Sequence, residues 1–161
     1  MARQFSLPEI LAPVQLLPPA ADAAGRTSNY VNLGKCDKAW IICHIAQGNA
    51  APVTLTPLQA QDVLGTNSKP ITATQVWANI NEAATDQLVK QVPNAANYQT
   101  DAGINNKIVI FEISPQDCMD EANGFKTVAI QTSASNAANV TEAMILPLHR
   151  YQQAQPPSIL T

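Results

Sequence analysis

The chain has 161 residues, enough to bury a core without disulfides or metals, and one domain is the expectation. Charged residues are 13 % of the chain, about half of the roughly 25 % typical of soluble domains, and the formal net charge is -3. This balance leaves no basic excess to bind phosphates by counterion release, so direct nucleic-acid binding is excluded as an expectation. Asn, Gln, Ser and Thr must supply the surface, and such an exterior suits contact with neighbouring subunits because few ions have to be desolvated there.

Residues 1–24 differ from the rest. Pro8, Pro13, Pro18 and Pro19 recur among Phe5, Leu7, Ile10, Leu11, Val14, Leu16 and Leu17, and each proline removes a backbone donor and biases its predecessor to extended geometry. The segment is read as an extended N-terminal arm. So many aliphatics need cover, so these seven apolar residues are candidate partner contacts, with an edge strand of the same domain as the alternative. The prolines and Glu9 break any signal-peptide core, and no apolar run approaches the roughly 20 residues of a membrane span.

A domain is expected over 25–151. After the small-residue turn Ala23-Ala24-Gly25, a weak alternation covers Asn29 to Leu33, and Gly34-Lys35-Cys36-Asp37 turns the chain into a strand over Lys38 to Ala46. There Ala39, Ile41, Cys43 and Ile45 share one face while Trp40 and Ile42 share the other. Apolar groups on both faces mean either a central strand covered on both sides or an outer face that serves as a subunit interface. Trp40 and Ile42 are therefore further candidate partner contacts.

Strands are also expected near 51–55, 73–80, 87–92, 107–113, 125–132 and 140–149. Ile108, Ile110 and Glu112 alternate with Lys107, Val109, Phe111 and Ile113, as in a half-buried strand. Two helical turns are expected between them. Thr56 and Pro57 open one that Gly65 stops; Ser114, Pro115 and Asp117 open another that Asn123-Gly124 stops. Residues 152–161 read as an extended C-terminal tail. The fold class that follows is all-β, an antiparallel β-sandwich with Greek-key or jelly-roll connections.

Chemistry-bearing residues are sparse. His44 and His149 are the two histidines and neither sits in a catalytic motif. Asp117, Asp120 and Glu121 cluster on the second helical turn, where acidic residues favour the helix dipole. Cys36, Cys43 and Cys118 are odd in number and at no zinc spacing, so a reducing site of synthesis is expected. The six glycines form no phosphate loop. No enzyme activity, catalytic residue, metal or cofactor is expected. Trp77 is the best candidate for an exposed aromatic platform.

The order of segments resembles the head decoration or auxiliary capsid (cement) proteins of tailed bacteriophages. The resemblance is carried by Leu7-Pro8-Glu9-Ile10-Leu11-Ala12-Pro13, by Ala20-Ala21-Asp22-Ala23-Ala24-Gly25-Arg26-Thr27 leading into Tyr30-Val31, and by Ala39-Trp40-Ile41-Ile42-Cys43-His44-Ile45-Ala46-Gln47-Gly48-Asn49. Asn106-Lys107-Ile108-Val109-Ile110-Phe111-Glu112-Ile113, Gly124-Phe125 and Ser133-Ala134-Ser135-Asn136-Ala137-Ala138-Asn139 continue it. It implies a β-sandwich made in the bacterial cytoplasm that binds the major capsid protein on the outside of an assembled shell as a dimer or trimer, without membrane contact. The alternative is a tail, receptor-binding or carbohydrate-binding module of the virion.

Overall fold

The computed structural model describes residues 6–151 and 158–161. One helical turn, α1 (Leu7–Ile10), precedes β1 (Val14–Ala21), β2 (Arg26–Thr27), β3 (Val31–Asn32) and β4 (Cys36–Gln47). Then come β5 (Thr54–Ala60), β6 (Lys69–Pro70), β7 (Gln75–Asn79), β8 (Val89–Lys90) and β9 (Tyr98–Gln99). The chain ends with β10 (Asn106–Ile113), α2 (Pro115–Cys118), β11 (Thr127–Thr132) and β12 (Asn139–His149). The first sheet has the order β1-β12-β4-β10-β7-β8; the second runs β2-β11-β5-β6, with β3 also on β11 and β9 also on β5. Every pairing is antiparallel, so the expected all-β sandwich is the observed fold.

The core lies between the sheets. Ala39, Ile41, Cys43 and Ile45 of β4, Val109, Phe111 and Ile113 of β10 and Ile145 of β12 meet Leu55 of β5 and Val128 and Ile130 of β11, all essentially inaccessible to water. Period-two alternation produces this arrangement, because it sends one set of side chains inward from each strand. Lys107, the inward-facing residue at the start of β10, is completely buried. Its ammonium reaches Asp101 Oδ1 at 3.0 Å and also donates to the Gly103 carbonyl.

The segment read as an arm is placed differently. Its residues 14–21 form β1, an edge strand of the domain's own first sheet, paired with β12 from Val14↔Ile145 to Ala21↔Val140. Leu16 and Leu17 are buried in the core and cannot serve as exposed partner contacts. Pro18 and Pro19 fall at the break in the β1–β12 register between Leu17 and Ala20 on an edge strand, so one missing N–H faces the open edge and the other the interrupted ladder. Arg26 closes that edge: its guanidinium donates to the carbonyls of Pro18 (2.9 Å), Ala20 (3.0 Å) and Thr141 (2.7 Å) and to buried Asp22 (3.3 Å). Asp22 Oδ2 accepts from Thr141 Oγ1 at 2.6 Å, so one carboxylate ties β1, β2 and β12 together.

Two further expectations are corrected. The helical turn expected from Thr56 and Pro57 is β5: six register pairs with β11 satisfy its backbone and override the local cap signal. Gly65 is a turn residue at φ 82°, with the Tyr30 ring laid where a side chain would stand. The second helical turn is present as α2 and a 3-10 turn at Glu121–Asn123, ended by left-handed Gly124; the Ser114 side chain makes no capping bond. Of the tail, Ser158 to Thr161 are described, and Ile159 is buried in the core with its carbonyl accepting from Asn32 N at 2.7 Å.

Removing Asp22 takes the carboxylate from the partly buried Arg26 guanidinium and leaves the buried Thr141 hydroxyl without its acceptor. Asp22→Ala is expected to lower unfolding free energy by about 3 kcal/mol, and Asp22→Asn, which keeps an acceptor for Thr141, by less. Urea denaturation of the three proteins checks this; equal stability would contradict the role of the carboxylate.

Candidate functional site

The inner face of the first sheet makes the core, and the same alternation sends a second set of side chains outward. Register fixes their neighbours. Met144 of β12 lies beside Ile42 of β4, Ile42 beside Ile110 of β10, Ile110 beside Trp77 of β7, and Trp77 beside Lys90 of β8. One row up, Leu146, Trp40, Glu112 and Gln75 are aligned; one row down, Glu142, His44, Ile108 and Asn79. Trp40, Ile42, Ile108, Ile110, Trp77 and Leu146 are half-buried and Met144 is 39 % exposed. Among the described residues, no second layer of strand or helix covers this face.

An antiparallel sheet that faces water is ordinarily polar on that side. Here a contiguous apolar strip crosses four strands, in place of the single scattered apolar residues of an ordinary exposed face. Beside it, Pro13, Gln15, Ile42, His44, Glu142 and Met144 line a groove of about 230 Å³ running toward β1.

Charges frame the strip. Glu112 accepts from Gln75 Nε2 (2.8 Å) and Trp77 Nε1 (3.2 Å) and is ion-paired with Lys38. Burial works to raise the Glu112 carboxyl, but the hydrogen bonds from Lys38 and Trp77 and the nearby ammonium charges outweigh it and hold the group below the ordinary glutamate range. Lys38 stands 5.7 Å from the Trp40 ring centre and Lys90 5.9 Å from that of Trp77. At the other end of the strip, His44 Nε2 is 2.7 Å from Glu82 Oε2 and Nδ1 is 3.5 Å from Glu142 Oε1.

Of the residues singled out from sequence, Trp40 and Ile42 are in the strip. Leu7 is exposed and Ile10 half-buried on α1, and Leu11 and Val14 are half-buried before and at the start of β1; none of these joins the central row. Phe5 lies outside the described residues. Ile110, Trp77, Met144 and Leu146 complete the strip and were not assigned to it from sequence. Alternation within 107–113 and 140–149 was the available signal, but the cross-strand register that aligns them is a tertiary fact.

Cys36 Sγ lies 3.7 Å from His149 Nδ1. Burial pushes the Cys36 thiol up to about 11, with Arg150 opposing and Asp37 adding, and desolvation pushes His149 down. The pair is therefore a neutral thiol against a neutral imidazole, without the thiolate an activated cysteine needs. Burial also raises Cys43 and Cys118, and all three cysteines are free. His44 meets two carboxylates, but on an open sheet face where its cross-strand neighbours, Glu142 and Ile108, offer no nucleophile. Among the described residues, no group of three or more His, Cys, Asp or Glu has a metal-binding arrangement.

No protein-family model and no curated protein matches the sequence. Among solved structures, the chain is similar to the SPBc2 prophage-derived protein YomS, at 10 % identity and a TM-score of 0.47 over 85 % of this chain and 92 % of that one. It is also similar to a putative sugar binding protein from Bacteroides thetaiotaomicron VPI-5482, at 10 % identity and a TM-score of 0.33 over 78 % of this chain and 66 % of that one. At such scores and identities the reading of the site rests on its own residues.

Asp101 behaves like Glu112. Burial would raise its carboxyl, and the bonds from Lys107 and the Gly103 N–H outweigh that and lower it. A carboxyl held low in the folded state contributes stability that is complete above its unfolded value, about 4, and is lost as pH falls through the lower folded value. The thermal midpoint is expected to fall on acidification, most steeply below about pH 4, where these carboxyls take up protons. Scanning calorimetry from pH 2.5 to 6 checks it, and a midpoint rising on acidification would contradict the assignment.

Proposed function

We propose that this chain is a structural virion protein that binds the outside of a phage capsid and stabilises it, and that its contact with the shell protein is made by the outer face of the first sheet. The apolar strip Met144, Ile42, Ile110 and Trp77 carries the reading. It is supported by the low charge of the chain and by the sequence resemblance to capsid decoration proteins.

Magnitudes favour a cementing mode over a tight one-to-one complex. Completing the burial of four half-covered side chains is worth about 3–6 kcal/mol, on a scale of roughly 1.5–3 kcal/mol for each fully buried large apolar side chain. Association costs about 4–15 kcal/mol in lost freedom of motion. One face therefore binds weakly alone, and many copies on a repeating shell bind well together, because each engaged neighbour raises the effective concentration of the next.

A carbohydrate-binding reading is less well supported. Trp77 is half-buried, its indole N–H is committed to Glu112 and Lys90 stands near its ring, so it offers no free stacking platform.

The test has two parts. In purified particles from the source, mass spectrometry should find this chain in a simple ratio to the most abundant shell protein; a handful of copies would move it to the tail, and absence would remove the virion reading. Ile42→Lys puts an ammonium in the middle of the strip and leaves the core untouched. It is expected to fold, by circular dichroism, and to bind particles depleted of this chain at least about tenfold more weakly. Undiminished binding would overturn the role of this face.

A further inference from the structure

We propose that the open side of the sandwich beside β8 is a docking site for residues 3–5 of a second copy of this chain, with Phe5 entering the cavity there and Arg3 meeting Asp86 on its rim. The cavity shares no residue with the outer-face strip, so this contact between copies is independent of binding to a shell.

Ala78, Ile80, Val89, Tyr98 and Asp101 line a cavity of about 360 Å³ where β7 and β8 of the first sheet approach β9 of the second. The register of β8 on β7 turns Val89 with Ala78 toward it and Lys90 with Trp77 to the outer face. Ala78 belongs to the core and Tyr98 packs against it, so an apolar group placed here extends the core sideways. Ile80, Leu88, Val89 and Val92 all stand exposed on this one connection, where single scattered apolar residues are the ordinary case. Backbone bonds hold them out. Gln91 N donates to the Val76 carbonyl (2.8 Å), Asn79 Nδ2 to the Thr85 carbonyl (2.6 Å), and Thr74 and Ala95 exchange two bonds of 3.0 Å. A site ordered in advance loses little freedom when it is filled.

The charges select the occupant. Asp86 lies between two lining residues, Thr85 and Gln87, and takes part in none of the ion pairs among the described residues. Asp101 adds a second carboxylate, paired with buried Lys107, and Lys90 is turned away. An apolar side chain with a cation close by is the matching chemistry. Of the segments outside the described residues, 152–157 carry no charge and no large apolar side chain, whereas 1–5 carry Arg3 and Phe5. Residues two apart fall on one side of an extended segment, so the pair can fill the cavity and reach the rim together.

A copy does not fill its own site. The order β1-β12-β4-β10-β7-β8 puts β1 and β8 at opposite edges, five strand spacings or about 24 Å apart. Residues 3 and 5 precede the turn in which Ile10 N donates to the Ser6 carbonyl, on the β1 side, and lie within about 11 Å of Ser6 along the chain. With donor and acceptor at opposite edges the contact is heterologous, so it closes a ring of copies or runs on as an open chain.

Photo-cross-linking of the full chain with p-benzoylphenylalanine in place of Phe5, on an equal mixture of light and heavy-isotope chains, tests the contact without any shell. Cross-links should fall within residues 78–101, include mixed-isotope pairs, and increase with protein concentration. Val89→Asp, at an exposed position, should keep the parent's circular dichroism and melting and lower the cross-link yield at least about tenfold. Asp86→Lys should lower it about threefold, and adding Arg3→Glu should restore it. Absence of mixed-isotope pairs, cross-links that fall elsewhere, or a charge swap that does not restore the yield would overturn the contact. The particle experiment with Ile42→Lys decides the shell-binding face separately.

Discussion

The central ladder, in which Cys36–Gln47 is held between Asn106–Ile113 on one side and Asn139–His149 on the other, is the constraint on which the structure depends. A one-residue slip in either pairing would turn Ile41, Cys43 and Ile45 to the surface and Trp40, Ile42 and His44 into the core. The same register that closes the core therefore writes the outer face. Apolar residues at both parities of Trp40 to Ile45 give the sheet two apolar sides, and the second sheet covers only one.

The edges of that sheet are protected by other means. β1 carries Pro18 and Pro19, and Arg26 caps its carbonyls, with Asp22 and Thr141 behind. At the opposite edge β8 is two residues long. Proline, a guanidinium bonded to the strand's carbonyls and a short edge strand all discourage sheet extension between copies. The outer face, by contrast, carries an apolar strip framed by Lys38 and Lys90 and, at the other end, by Glu82 and Glu142.

Much of this was legible in the sequence. Alternation located β4, β10, β11 and β12 closely, because long half-buried strands leave a strong period-two signal, and the two-faced character of Lys38 to Ala46 pointed to the outer surface through Trp40 and Ile42. What sequence could not supply was pairing. β5 looked like a helix start because Thr56-Pro57 matches a cap, and only its ladder with β11 decides otherwise. The arm looked separable because its prolines break periodicity; Leu16 and Leu17 reveal their place only once β12 is beside them. Ile110, Trp77 and Met144 are far apart in sequence and become one row through register, as His44 and Glu142 become neighbours, and the contact of His44 with Glu82 depends on a loop whose path carries no motif.

We propose that the outer face of the first sheet is covered when the protein is at work. Met144 is a direct reporter, being 39 % exposed in the row of Ile42 and Ile110. Hydroxyl-radical footprinting of the free chain and of intact particles, read as sulfoxide formation at Met144 with Tyr151 as an exposed reference, measures that cover. Met144 is expected to oxidise readily in the free chain and to be strongly protected on particles while Tyr151 is not; equal oxidation of Met144 in both states would contradict a covered face.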